Sequence, residues 1–284
     1  MAIEKVGVVG CGLMGAGIAQ VCASAGFGTT VSEVDEKRLQ SGIDKIGAQL
    51  ARAVEKGKLP EAEKKAILGR LQGTTRLADL GGCDIVIEAA TENAEAKKKI
   101  FAELDSRLPK HALMASNTSS LTLIELAAVT GRPERVLGLH FFNPVPVMKL
   151  VEVVRTIVTS TEAFETARQF AVSLGKEVVE AKDTTGFVVN RLLVPYMLDA
   201  IRCYEQGLAS KEDIDRGMKL GCGYPMGPFE LLDFVGLDTT LYIAEIMFDE
   251  FREARFAPPS LLRRMVMAGH LGRKSGRGFY DHRS

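Results

Sequence analysis

Gly10-Cys11-Gly12-Leu13-Met14-Gly15 has the spacing G-x-G-x-x-G. In that pattern the first glycine permits a tight turn, the second lets a pyrophosphate approach the backbone, and the third lets a helix pack closely on a strand. The glycines end a β-branched run, Lys5 to Gly10, and open a stretch of small and apolar residues, Leu13 to Ala25, suited to a helix. Amides at such a helix N-terminus receive a pyrophosphate, so Gly10, Gly12, Leu13, Met14 and Gly15 are read as a dinucleotide-binding turn. Glu33 follows at the end of the next β-branched run, 21 residues after Gly12. A carboxylate there accepts hydrogen bonds from ribose hydroxyls and repels a 2′-phosphate, which favours NAD over NADP. Asp35, two residues on, competes for the same duty.

Further polar clusters follow apolar runs: Thr91-Glu92-Asn93, Ser116-Asn117-Thr118-Ser119-Ser120, and His140-Phe141-Phe142-Asn143-Pro144. Ligands of open α/β sheets lie beyond the carboxyl ends of the strands, so these clusters are expected to converge near the nicotinamide. Oxidising an alcohol requires a group that takes the hydroxyl proton as hydride leaves, and His140 suits it because imidazole titrates near neutrality. A lone histidine is as often a packed structural residue; a carboxylate partner tips the balance. Glu152 can supply one, since Leu150, Glu152 and Val154 share a strand face and an acid between apolar residues invites pairing. Such a carboxylate would fix the tautomer and favour the charged imidazole. The competing reading is an exposed glutamate on an edge strand.

The elements that must position these residues alternate along the chain. Thr29–Val34 reads as a strand, and Asp35–Lys58 as a long helix with Leu39, Ile43, Ile46, Leu50 and Val54 at helical spacing. Further strands are read at 84–89, 112–115, 136–141, 149–154 and 177–180, with helices at 94–108 and 161–174. This argues an α/β fold, a Rossmann-type doubly wound, largely parallel sheet. The pattern changes at Asp183-Thr184-Thr185-Gly186, after which Phe187–Glu205 reads as a helix and no convincing strand follows. Two domains are therefore expected: 1–184, binding the nucleotide, and 185–284, a smaller all-helical C-terminal domain.

Composition narrows the function classes. Thirty-six Lys and Arg balance 36 Asp and Glu, so no net basic field gathers nucleic acid or an anionic membrane surface. Five cysteines include no C-x-x-C, and the four histidines form no close ligand pair, which points to a reducing, cytoplasmic compartment and no metal site. Val6–Ser32 carries no charge, but its seven glycines and the Glu4-Lys5 pair before it argue against a membrane helix or signal peptide.

Ser116-Asn117-Thr118-Ser119-Ser120, His140-Phe141-Phe142-Asn143-Pro144-Val145-Pro146 and Gly223-Tyr224-Pro225-Met226-Gly227-Pro228-Phe229-Glu230 together resemble the L-3-hydroxyacyl-CoA dehydrogenases, and the resemblance runs end to end. It implies NAD-dependent oxidation of an (S)-3-hydroxyacyl-CoA, with a short acyl chain, by a homodimer joined through the helical domain. It implies His140 and Glu152 as the catalytic pair, with Ser119 and Asn190 contacting substrate oxygens. Glu33, Glu92, Lys97, Ser119, Asn143 and Lys274 are implied to contact or adjoin NAD. For the coenzyme A phosphates, Arg52, Lys56 and Lys58 are available as charge-assisted donors, with a solvated helix face as the plainer reading. Two residues depart from the family pattern: Glu33 stands where many members carry aspartate, and Thr185 where proline often precedes Gly-Phe. A gulonate-type dehydrogenase of free hydroxy acids and a crystallin-like NAD-binding protein without turnover are the rival readings.

Overall fold

In the computed structural model, which describes residues 3–283, the chain divides into two units, Met1–Thr184 and Thr185–Ser284. The first is built on one eight-stranded sheet. Its strands are β1 (Lys5–Val9), β2 (Gly28–Ser32), β3 (Leu71–Thr74), β4 (Ile85–Glu88), β5 (Leu113–Ser116), β6 (Val136–Phe141), β7 (Leu150–Arg155) and β8 (Glu177–Lys182). They lie in the order β3-β2-β1-β4-β5-β6-β7-β8. The first six strands are mutually parallel in the 3-2-1-4-5-6 order of a doubly wound fold. β7 reverses direction against β6, and β8 runs parallel to β7.

Helices α1 (Leu13–Ser24), α2 (Glu36–Glu55), α3 (Glu61–Gly69), α4 (Ala94–Arg107), α5 (Leu123–Ala127) and α6 (Thr161–Ser173) complete this unit. β4, β5 and β6 are buried along their whole length, so their apolar runs are continuous rather than alternating, as sheets covered on both faces require. On one side, Val6, Val8, Ile85, Ile87, Leu137 and Leu139 pack with Ile18 and Cys22 of α1, Ile46 and Leu50 of α2, and Phe164 and Phe170 of α6. In α2, Leu39, Ile46 and Leu50 are buried, whereas Ile43 and Val54 are half-buried.

Several elements differ from the sequence expectation. β3 and α3 fill a stretch with no assigned element; Leu-Gln-Gly-Thr in β3 has no buried residue, and α3 buries only Ile67. Asp35 lies outside α2 as its N-cap, its carboxylate accepting from the Arg38 amide at 2.8 Å. The helix read from Phe187 begins at Val189, because Gly186 (φ +83°) and Phe187 (φ 47°) occupy the left-handed region.

The second unit contains α7 (Val189–Glu205), α8 (Lys211–Cys222), α9 (Pro228–Val235), α10 (Leu237–Phe251) and α11 (Ser260–Met267). Met197, Leu198 and Ile201 of α7 pack with Phe229, Leu232, Ala244, Met247, Phe256 and Leu262. Two buried carboxylates tie its segments together. Asp215 accepts from the Phe229 and Glu230 amides and the Tyr280 hydroxyl, and Asp233 accepts from the Phe279 and Tyr280 amides. No helix among the described residues is long and apolar enough to cross a membrane.

Candidate active site

The glycine-rich turn joins β1 to α1, and its three glycines answer to different constraints. Gly10 has φ +96°, and a Cβ there would lie 2.7 Å from the Ala89 carbonyl oxygen; at Gly15 a Cβ would lie 2.0 Å from the Gly10 oxygen. A Cβ on Gly12 meets no protein atom within 4 Å, so the protein itself does not demand glycine there. The open space there leaves room for a group from outside to reach the backbone. Asp35, Asn93, Ser160 and Ser210 cap α2, α4, α6 and α8 with their side chains, but the amides of α1 receive no such cap and no acid in the first turn. An uncapped helix start beside an open glycine fits a pyrophosphate.

Of the two competing carboxylates, Asp35 is engaged at the start of α2, where it accepts from the Arg38 amide. The Glu33 carboxylate accepts from the amides of Cys11 and Val34, each at 2.8 Å, and so is held against the turn itself. It borders a cleft of about 430 Å³ lined by Gly10, Val34, Arg76, Leu77, Ala90 and Ile100, among others. Cys11 is buried against Gly42, and burial pushes its thiol up to about 11, so the thiol stays protonated and packs rather than reacts.

The carboxyl ends of β4 and β5 are joined by a buried polar hub. Glu88, fully buried, accepts from the Ala90 amide (2.9 Å), from Ser116 Oγ (2.9 Å) and from the Lys97 ammonium. Lys97 is 1% exposed and has Glu92 as a second carboxylate at 3.9 Å. Glu92 in turn accepts from Thr118 Oγ1 (2.8 Å) and the Ser119 amide (3.2 Å). Asn117 carries the linkage to the next strand, its Oδ1 accepting from the Phe141 amide at 2.9 Å. The three polar clusters therefore meet at adjacent strand ends, as their positions after the strands imply.

His140 and Glu152 face each other directly in the antiparallel β6–β7 register. His140 Nδ1 lies 2.6 Å from Glu152 Oε2; the histidine is 6% exposed and the glutamate fully buried. Because β8 pairs with the outer side of β7, Glu152 is not an exposed residue of an edge strand. A carboxylate in its ionised form can only accept, so an ionised Glu152 would hold a proton on Nδ1 and leave the Nε2 lone pair to take one. This is the arrangement of a general base oriented by an acid.

Residues 5–184 match the family model for the 3-hydroxyacyl-CoA dehydrogenase NAD-binding domain, and residues 186–282 match the C-terminal domain of the same family. The chain belongs to the 3-hydroxyacyl-CoA dehydrogenase family. It is 53% identical to a 3-hydroxybutyryl-CoA dehydrogenase of Mycobacterium tuberculosis, over 99% of both chains. It is 46% identical to the human mitochondrial hydroxyacyl-coenzyme A dehydrogenase, over 99% of this chain and 92% of that one. The crystal structure of (S)-3-hydroxybutyryl-CoA dehydrogenase from Ralstonia eutropha superposes with a TM-score of 0.96 at 46% identity, covering 99% of each chain.

Within this dehydrogenase fold the remaining residues are placed as follows. Leu13 opens α1 and is 68% exposed, with Met14 half-buried behind it. Ser119 is half-buried and Asn143 exposed, at the ends of β5 and β6. Lys97 stands beneath this surface, its ammonium committed to Glu88. Arg52, Lys56 and Lys58 are exposed at the end of α2 and just beyond it. Asn190 is half-buried in the first turn of α7, and Lys274 pairs with Asp238 at 2.7 Å, both within the helical unit. Glu88 and Asn117 hold the site together but were not singled out from sequence. Their signal is an acid closing the apolar run Ile85-Val86-Ile87, and an amide one residue past β5.

Proposed function

We propose that the protein catalyses reversible NAD-dependent oxidation of a short-chain (S)-3-hydroxyacyl-CoA to the 3-oxoacyl-CoA, with His140 as general base and acid. The observation that carries this reading is the buried 2.6 Å contact between His140 Nδ1 and Glu152 Oε2 at the end of β6. Nε2 takes the hydroxyl proton in oxidation and returns it in reduction, and the Glu152 carboxylate stabilises the imidazolium that forms. Bound NAD⁺ supplies the hydride acceptor. The α1 amides and Gly12 would hold its pyrophosphate and Glu33 its adenine-side ribose, with Glu92, Ser119 and Asn143 lining the nicotinamide end. Ser119 and Asn190 orient the substrate's oxygens, and Arg52, Lys56 and Lys58 meet the coenzyme A phosphates. A homodimer through the helical unit and a cytoplasmic location complete the proposal.

The test is NADH consumption by purified protein with acetoacetyl-CoA, run beside NADPH and beside free acetoacetate. Turnover with the thioester and NADH alone is expected. Turnover of free acetoacetate in preference to the thioester would move the reading to a dehydrogenase of free hydroxy acids.

A further inference from the structure

Lys176 lies immediately before β8 and is 8% exposed, yet forms no ion pair among the described residues. Its Nζ donates instead to two backbone carbonyls, those of Val145 (2.5 Å) and Met148 (2.7 Å). Both belong to the segment 142–149, which joins the strand of His140 to the strand of Glu152. Burial pulls the ammonium's pKa down, so keeping a lysine here rather than an apolar residue must serve those two oxygens.

We propose that Lys176 is a positioning residue for the reaction, holding segment 142–149 so that the His140–Glu152 pair stays in line with the nucleotide-binding helix α1. Two contacts carry this linkage. Val145, itself 2% exposed, packs so closely on α1 that a Cβ at Gly17 would lie 2.9 Å from Val145 Cβ. Farther along, the Glu177 amide donates to the Lys149 carbonyl at 2.8 Å, fixing the far end of the segment to β8. Between these points packing is thin. A cleft of about 500 Å³, lined by Gln20, Ser24, Val147 and Met148 among others, borders the segment, and Val147 is 72% exposed. An ammonium can serve both carbonyls from one point because its donors fan out from a single nitrogen. Without it, the two oxygens lose their partner, and the segment has open space to move into.

The proposal rests on His140 and Glu152 acting as the acid/base pair, and its test separates the two ideas. Full-length Lys176→Met is compared with wild type for kcat and KM with acetoacetyl-CoA, tryptic nicking after Lys149, and the NMR resonance of the His140 Nδ1 proton. We expect kcat to fall about 10- to 100-fold with KM changed less than about threefold, since sub-ångström to 1 Å misplacement costs turnover more than binding. Nicking after Lys149 should accelerate and the His140 resonance should shift or broaden, and Lys176→Arg, which keeps donors at this point, should recover most of kcat. A variant that loses only thermal stability, with kcat and the His140 resonance unchanged, overturns the proposal. If Lys176→Met does not fold, Lys176→Gln, whose amide is shorter, is read by the same criteria. If wild type fails to turn over the thioester, the functional reading falls. The His140 resonance then still decides the matter: moved in the variant it supports positioning, and unmoved it refutes it.

Discussion

Replacing Glu152 by glutamine removes one charge and keeps the side chain's shape, which makes it the sharpest test of how His140 is oriented. Glu152 is fully buried with its Oε2 2.6 Å from His140 Nδ1. On the proposed mechanism the ionised carboxylate only accepts, holding the proton on Nδ1 and the lone pair on Nε2. A glutamine amide can turn its NH₂ toward Nδ1, which transfers the ring proton to Nε2 and presents substrate with a donor where oxidation needs an acceptor. The hydrogen bond to a charged acceptor is worth about 1.5–3 kcal/mol. At about 1.4 kcal/mol per decade this alone lowers kcat roughly 10- to 150-fold. A population shifted to the wrong tautomer extends the loss toward about 10⁴, the scale known for a neutralised orienting aspartate.

We therefore expect Glu152→Gln to lower kcat by about 10²- to 10⁴-fold. NADH affinity should be unchanged, because the glycine-rich turn and Glu33 lie on other strand ends. Steady-state NADH oxidation with saturating acetoacetyl-CoA measures the first quantity, and NADH fluorescence titration the second. A kcat within about threefold of wild type, in a variant that binds NADH normally, would remove Glu152 from the mechanism and with it the tautomer argument.

His140→Gln should leave NADH binding intact while activity falls by about 10²- to 10⁴-fold; near-full activity would remove His140 from the base role. Glu33→Gln keeps an acceptor for the Cys11 amide but removes the charge that repels a 2′-phosphate, so the preference for NADH over NADPH should shrink about tenfold or more in competitive titrations. Arg52→Ala, Lys56→Ala and Lys58→Ala combined should raise the KM for acetoacetyl-CoA several-fold at low salt and much less at high salt, with Tm barely moved, because the three are exposed. Asp84 offers a pH signature: burial opposes its charge, but the Glu4 and Lys5 amides and His111 outweigh that and hold its pKa below the ordinary value. A depressed carboxylate stabilises the fold above its unfolded pKa and loses that contribution as pH falls toward the folded one. Asp84→Asn should therefore lower Tm at pH 7, and thermal melts should show the gap to wild type closing as pH drops below about 3.9.

The glycine-rich turn was legible because backbone geometry leaves so few residues a choice. Gly10 must adopt positive φ under the Ala89 carbonyl, Gly15 must let α1 close on the turn, and a residue ending β2 must reach the same turn. β1, β2, β4, β5 and β6 were legible as β-branched or apolar runs. β3 was not, since four residues with no buried member carry neither a period-two nor an apolar signal. Without β3 the 3-2-1-4-5-6 order could not be derived, although the alternation of strand and helix was enough for the fold class. That Asp35 caps α2 was equally hidden, because a helix cap and a ribose-binding residue ask for the same carboxylate.

One signal in the sequence was there to be used. The connection from β6 to β7 is eight residues, 142–149, with two prolines and no helix. Parallel neighbours need a crossover of a dozen residues or more, so so short a link forces the two strands to run antiparallel if they are adjacent. In an antiparallel pair, the residue opposite any position is fixed by the centre of the turn, and a slip of one residue sends every side chain to the other face. The partner of His140 is thus set by the length and seating of segment 142–149, not by anything in the immediate sequence of either strand. Glu88 and Ser116 illustrate the contrast: they are also register partners, but on parallel strands whose alignment is held by helix α4 and the Lys97 ammonium across a long connection. A site assembled from parallel strand ends depends on the packing of the helices between them. The His140–Glu152 contact depends instead on one short turn, and control over its register is concentrated there.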